Sequence, residues 1–481
     1  MVLDRLEPQS VFRFFEEICA IPHGSGNTKA ISDYCVRFAR SRGLEHYQDA
    51  LGNVIVIAPA APGYGDAPPI IVQGHLDMVC AKSPGCEKDM AREGLDLFVD
   101  GDLIGARGTS LGGDDGAAVA MILALLDDPT IPRPRLEAVL TVDEETGMFG
   151  AQGLDVSPLR GRTMLNLDSE EEGVFTVGCA GGARVYLRWT PRRETVAALP
   201  LRVTIEGLRG GHSGVEIDKG RGNANILMGR LLRALDAAAP LRLVSLRGGT
   251  ADNAIALSCA AEIAVAPENA EAAYAAVDAV CGTLRAEYAL TDPGVRVGVA
   301  PGQPGEIDAL CEADTARVLD ALTLAPNGVQ AMSFALPGLP ETSLNLGVLT
   351  LDDADAVMTF SVRSAVASRK RALIAKLGCL ARVTGAQVDL SGEYPAWEYR
   401  ADSPLRERMV RIYEEMFSAQ PKVVSIHAGL ECGLLAEKLP GLDCVSIGPQ
   451  MLGIHTANER MSVSSMARTW AFVKAVLKAS V

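Results

Sequence analysis

Apolar positions recur every three to four residues from Ser10 to Ala20 and again from Asn27 to Arg42, which predicts two amphipathic helices. Asn27 or Thr28 is the expected N-cap of the second helix and Gly43 its stop. Short β-branched runs at Asn53 to Ala58, Ile70 to Gln73, Glu137 to Val142 and Thr163 to Leu167 predict strands. An apolar helix from Asp115 to Leu126 lies among them. This alternation predicts an α/β catalytic domain whose central sheet is mixed, mostly parallel, and flanked by helices. In such sheets the working residues lie just beyond the carboxyl ends of the strands.

The pattern changes near residue 185. Strand-like runs at Leu201 to Glu206, Glu262 to Val265, Val295 to Val299, Ser343 to Leu349 and Ala356 to Ser361 alternate with Ala-rich helices at Asn223 to Leu235 and Pro267 to Leu284. Pro267 suits a first helical position. A few antiparallel strands covered by two or more helices account for this stretch, an α+β domain. The earlier style then returns and brings a further candidate ligand, His455, that the first part lacks. The expected organisation is therefore a catalytic domain in two segments, 1–186 and 394–481, with a lid or dimerisation domain, 187–393, inserted between them.

Composition narrows the class. The 481 residues exceed one core, and 48% apolar with 22% charged residues is ordinary globular usage. Sixty acidic against 45 basic residues give a net charge of −15, and no Lys/Arg-rich run is present to follow phosphates, so nucleic acid is not an expected partner. No signal peptide is readable in the first twenty residues. The longest apolar stretch, Ala117 to Leu126, is about half of the roughly 20 residues a membrane span needs. A cytoplasmic protein is expected. Eleven cysteines without a CxxC pair fit reduced thiols, with Cys179, Cys259 and Cys444 as core filler and Cys432 the one near a candidate site.

The candidate chemistry sits where the sheet rule places it. His75 and Asp77 follow Ile70-Ile71-Val72, Glu144 and Glu145 follow Val139-Leu140-Thr141-Val142, and Asp168 follows Met164-Leu165-Asn166-Leu167. His75 and Asp77 share a strand face because side chains alternate with period two, so one can bind metal while the other orients it. Asp114 and Asp115 lie between glycines at the head of an apolar helix. Capping explains one of them, and two metals roughly 3.5 to 4 Å apart need a shared carboxylate, assigned to Asp114. Glu144 and Glu145 point to different sides of a turning backbone, so one can bind metal while the other, Glu144, serves as general base. His455 completes a set in which each metal has one His, one terminal carboxylate and the shared Asp. The imidazoles favour zinc over magnesium.

The ordered segments GHLDMV, SLGGDDG, DEETGMFGA, LNLDSEEEG, GGHSGVEI, HAGLECG and IGPQMLGIHTANE resemble the aminoacylase-like di-zinc metallopeptidases, and within them the bacterial carnosinase-like aminoacyl-histidine dipeptidases. They span essentially the whole chain. The resemblance implies metal ligands at His75, Asp114 (bridging), Glu145, Asp168 and His455, Asp77 as supporting carboxylate, and Glu144 as general base. It implies two Zn2+ per subunit, which Co2+ or Mn2+ can replace, and a homodimer formed through the inserted domain. By the same resemblance His212 polarises the scissile carbonyl, sometimes from the partner subunit. Asn253 and Arg363 are candidates for the substrate's terminal carboxylate, Arg363 because its planar fork pairs two oxygens. The turn around Gly429 offers backbone amides to the same group.

Two departures stand out: Thr456-Ala457 replaces the family's usual Ser-Pro after the last metal histidine, and Asp115 replaces an Asn that often follows the bridging Asp. Metal affinity and pH optimum are the properties these would alter. The expected activity is zinc-dependent hydrolysis of short unblocked dipeptides, including Xaa-His and β-alanyl-histidine, by a two-metal activated water. An inserted lid would keep substrates small. N-acyl amino acid deacylation or tripeptide cleavage at the same centre is the alternative, and a non-catalytic metal-dependent binding protein the remote one.

Overall fold

A computed structural model describes residues 2–480. It divides into two compact units: one comprises Met1–Cys179, Tyr399–Ser425 and Leu430–Val481, the other Ala180–Glu398 and Ile426–Gly429. The crossings fall at 179/180 and 398/399 rather than at 186/187 and 393/394. The first shift is caused by the strand Gly181–Trp189, which pairs along its whole length with Ala356–Ser364 and so belongs to the inserted sheet from its first residue.

In the first unit an eight-stranded mixed sheet has a parallel centre. Ile70–His75 lies between Leu136–Thr141 and Thr163–Asn166, and Asp443–Ser446 continues the parallel run. These strands are buried on both faces, which explains their continuous apolar sequences. The helix Gly113–Asp127 is buried on all sides, and Phe12, Phe15 and Ile18 from the first helix, Gln9–Cys19, join its core cluster. Asp114 and Asp115 depart from helical φ/ψ, so the regular helix starts after them, and the peptide between them is cis.

The second unit is built on a ten-stranded sheet, larger than the few strands expected. Leu241–Gly248 and Gln387–Tyr394 were not read from sequence, and the strand ending at Glu206 starts at Arg193. Gln387–Tyr394 is exposed along most of its length and so carries little apolar signal. The helices Ala224–Ala238 and Ala270–Glu287 contribute Leu227, Leu231, Leu235, Val277 and Leu284 to this unit's core cluster. Pro267 opens a 3-10 turn before the second of these, rather than the helix itself. No helix among the described residues is long and apolar enough to cross a membrane.

Candidate metal centre and substrate residues

The parallel strands deliver their acids and imidazole to one rim. His75 ends its strand in register with Thr141, and Asp168 lies two residues beyond the strand end Asn166. Asp114 divides its carboxylate between two imidazoles: Oδ1 is 3.1 Å from His75 Nε2 and Oδ2 is 3.1 Å from His455 Nε2. Asp168 Oδ1 lies 3.6 Å from His75 Nε2, and Glu145 Oε1 lies 3.0 Å from His455 Nε2. The five residues thus form two triads that share Asp114.

This arrangement suits cations. His75 Nδ1 lies 3.0 Å from the Asp77 carbonyl, a bond it makes by donating, which leaves the Nε2 lone pair facing two carboxylate oxygens. Buried Glu145 Oε1 has no hydrogen-bond donor. Among the described residues the ion pairs of Asp114, Asp168 and Glu145 are to these imidazoles alone. Burial pushes Asp168 up to about 7 and, with neighbouring carboxylates, pushes Glu144 well above the usual carboxylate range. Contacts to Asp114 and Glu145 raise His455 to about 10. Buried acceptors crowded this closely are stabilised when positive ions replace shared protons.

Asp77 does two things. Its side chain lies 3.4 Å from His75 Nδ1, and its oxygens accept from the backbone amides of Glu144 at 3.0 Å and Glu145 at 3.3 Å. Burial would raise its proton affinity, yet His75, Ser25 and the Glu144 amide hold the carboxyl below its ordinary value. One buried carboxylate therefore fixes both the first imidazole and the turn that carries the two glutamates.

Asp115 also reaches His75. His75 N donates to Asp115 Oδ2 at 3.0 Å, and a Cβ at Gly74 would come within 2.6 Å of the same oxygen. The ligand atoms that lie within 4.8 Å of one another group His75 with Asp114 and Glu145, and His75 with Asp115 and Asp168, so Glu145 also reaches the first imidazole's neighbourhood and Asp115 enters one of the groups. The division of Asp114 between both imidazoles favours Asp114 as the shared ligand, because Asp115 spends one oxygen on the backbone. Burial, and then the neighbouring Asp168 carboxylate, raises the Asp115 carboxyl well above its usual range.

Two further carboxylates, Glu459 and Glu431, to which the sequence assigns no role, hold the site from behind. Glu459, 2% exposed, accepts from the amides of Leu111 and Gly112 at 2.8 and 3.0 Å through one oxygen, and from Gly113 and Asp114 at 2.8 and 3.3 Å through the other. The loop bearing Asp114 is thereby tied to the loop bearing His455. Fully buried Glu431 accepts from Gln73 Nε2 at 2.6 Å and Thr141 Oγ1 at 2.5 Å, while Asn166 donates to Gln73. That network ties together the strands carrying His75 and Asp168 and the one leading to the glutamates. Both lie in segments that carry the family resemblance, Glu431 in HAGLECG and Glu459 in IGPQMLGIHTANE, but nothing local shows what either side chain contacts.

His455 has φ +59, a left-handed conformation that costs a non-glycine residue about 1 kcal/mol or more. Thr456 closes its loop, donating to the Gly453 carbonyl at 2.6 Å and accepting from Asn458 N at 3.1 Å. The loop thus supports itself without a Ser-Pro. Cys432 and Cys444 are buried free thiols 3.7 Å apart, and burial pushes Cys432 upward, away from the thiolate a nucleophile needs.

The second unit holds His212, Asn253, Arg363 and Gly429. His212 Nδ1 accepts from the amides of Gly214 and Val215 at 3.2 Å each, which places the neutral ring's proton on Nε2. Asn253 is exposed, and its carbonyl accepts from Ser213 N at 2.8 Å. Arg363 is buried, with Nη1 donating to the Tyr394 hydroxyl at 3.1 Å. Gly429 ends the short tongue Ile426–Gly429.

Residues 71–479 match the family described as peptidase family M20/M25/M40. The chain is 35% identical over 478 residues to the cytosol non-specific dipeptidase of Escherichia coli K12, covering 99% of this chain and 98% of that protein. It superposes on the aminoacylhistidine dipeptidase of Vibrio alginolyticus with a TM-score of 0.91 and 34% identity, covering 99% and 98% of the two chains. A tripeptidase of Staphylococcus aureus shares the fold at a TM-score of 0.57 and 15% identity, with 99% of each chain covered.

Proposed function

Starting from the fact that this chain belongs to peptidase family M20/M25/M40 and is a hydrolase acting on peptide bonds, we propose that it is a zinc-dependent dipeptidase with a two-metal centre. One zinc would be held by His75, Asp168 and Asp114, the other by His455, Glu145 and Asp114, with Co2+ or Mn2+ able to substitute. Zinc there supplies Lewis acidity and makes water a nucleophile near neutral pH. The observation that carries the reading is the division of Asp114 between the two imidazoles at 3.1 Å each.

Glu144 is the general base. Its raised proton affinity lets it take a proton from the attacking water and return it to the leaving nitrogen. Asp77 keeps it in place through the Glu144 amide. His212, with its proton on Nε2, donates to the scissile carbonyl as negative charge develops there. Arg363, Asn253 and the backbone near Gly429 bind the substrate's carboxylate. The substrates are unblocked dipeptides, Xaa-His and β-alanyl-histidine among them, hydrolysed by a cytoplasmic homodimer.

The test is a dipeptide panel with the zinc-reconstituted protein, including β-alanyl-histidine, acylated amino acids and tripeptides. Faster turnover of acylated amino acids or tripeptides than of any dipeptide refutes the assignment. Asp114→Ala is expected to lose both metals; two zinc ions per chain by elemental analysis in that variant would refute the shared ligand.

A further inference from the structure

Beyond the residues already assigned, the second unit holds a cavity of about 810 Å³ lined by its own sheet, and His212, Asn253, Arg363 and Gly429 do not line it. Leu201, Val203 and Ile205 of the strand Arg193–Glu206 point into the unit's core cluster, as do Ala261 and Ile263 of Cys259–Val265 and Leu246 of Leu241–Gly248. Alternation with period two therefore sends Arg202, Thr204, Ala260, Glu262, Ser245 and Arg247 to the opposite face, where the cavity opens.

Register sets its shape. Arg202 stands opposite Glu262, and Glu262 opposite Ser245; one row along, Thr204 stands opposite Ala260, and Ala260 opposite Arg247. The smallest of these side chains, Ala260, thus floors a hollow between longer ones: Thr204 and Arg247 across the ladder, and Glu262 two residues along the same strand. Arg247 and Glu262 are diagonal neighbours, a relation that puts Cα atoms roughly 7 to 8 Å apart and leaves room for a small molecule between the two heads.

Opposite charges facing each other across an antiparallel pair ordinarily contact. Arg202, Arg247 and Glu262 nevertheless make no hydrogen bond or ion pair among the described residues, whereas Glu206, the other charged lining residue, lies 3.8 Å from Arg296. Two guanidiniums and one carboxylate around one hollow select a ligand by sign. A simple anion meets Glu262, a simple cation meets two arginines, and an apolar molecule leaves all three charges unanswered. A zwitterion answers both signs: its carboxylate takes the planar fork of Arg247 and its ammonium takes Glu262, while Arg202 keeps the surroundings positive for the carboxylate.

We propose that this cavity is a second binding site, distinct from that of the substrate, for a free α-amino acid, the class of product that peptide-bond hydrolysis releases. Its carboxylate lies on Arg247 and its ammonium on Glu262. The connection 249–258 also lines the cavity, and its strand Ala254–Ile255 pairs with Gly211–His212, so the bound amino acid packs against the segment that carries Asn253. The site does not rest on the dipeptidase reading.

The test titrates alanine by calorimetry into the zinc-loaded full chain whose catalytic centre is filled with a phosphinic dipeptide analogue. Alaninamide, which lacks the carboxylate, and N-acetylalanine, which lacks the ammonium, are titrated beside it. A single alanine per chain is expected to bind, with each control roughly 10- to 100-fold weaker, the effect of one hydrogen bond to a charged group left unmade. Arg247→Gln should weaken alanine by that factor and leave alaninamide unchanged; Glu262→Gln should weaken alanine and leave N-acetylalanine unchanged. Both residues are exposed, so zinc content and thermal unfolding should stay at wild-type values. Amide exchange across 249–258 should slow as alanine binds. No binding to the filled enzyme, equal affinity for the three compounds, discrimination unchanged in either variant, or slowed exchange only outside the second unit overturns the proposal. Alanine binding with this charge dependence in a protein that hydrolyses no dipeptide would leave the site standing and refute the dipeptidase reading.

Discussion

Replacing Glu459 with Gln should cost the enzyme metal before it costs the fold. The wild-type carboxylate accepts four backbone amides at 2.8 to 3.3 Å from the loop that ends in Asp114. Gln keeps one oxygen, and with it two of the four bonds, now to a neutral acceptor. Its NH2 group points donors at the other two amides. Hydrogen bonds to a charged group contribute about 1.5 to 3 kcal/mol each and neutral ones about 1. The loop therefore loses on the order of 4 kcal/mol of support. Were half of that expressed only in the loop conformation that presents Asp114 to both imidazoles, metal affinity would fall roughly 30-fold.

The assay is zinc competition against a chelator of known affinity, with elemental analysis for stoichiometry and circular dichroism for folding. Activity should return as zinc is raised, because Glu459 contacts only backbone amides near the site and no reacting atom. Wild-type zinc affinity with two ions bound at limiting metal would refute the reasoning. Folding loss equal to metal loss would show that Glu459 supports the core and not the loop.

Other expectations follow from single contacts. Glu144→Gln should retain both metals and lose roughly 10²- to 10⁴-fold in kcat; near-wild-type turnover with full zinc content would remove Glu144 from proton transfer. Gly74→Ala would place a methyl 2.6 Å from both Asp115 Oδ2 and Ala118 Cβ, so thermal unfolding should show a loss of about 1 to 3 kcal/mol, and an unchanged Tm would mean the strand end yields more easily than its packing indicates. His427 titrates near 4 when folded and near 6.5 when unfolded, so the unfolded chain binds the extra proton and stability should fall as pH drops between those values. Denaturant titrations of wild type and His427→Phe from pH 4 to 7 should therefore converge toward the acid end. Parallel curves would remove His427 from that dependence.

Residue type and local period were enough to place acids and imidazoles after strand ends: His75 and Asp77 after Ile70–Gln73, the glutamates after Glu137–Val142 and Asp168 after Thr163–Leu167. That much is local because a strand exposes its residues at its carboxyl end whatever it pairs with. Partners 290 to 358 residues apart have no such local mark. Glu431 beneath Gln73 and Thr141, Glu459 on the amides of Leu111 to Asp114, and His427 against Ser343 lie in segments that carry the resemblance, yet no neighbouring residue shows what each side chain touches.

The sequence alone determined which side chains could serve a metal hydrolase and on which strand ends they sit, since both depend on chemistry and short-range periodicity. Tertiary structure decided that Asp114 faces two imidazoles while Asp115 turns to the His75 amide, and that Arg363 is buried without an anion. Those outcomes depend on distances between segments remote in sequence. Burial and the closure of the loops set them, and neither is encoded in any single stretch of the chain.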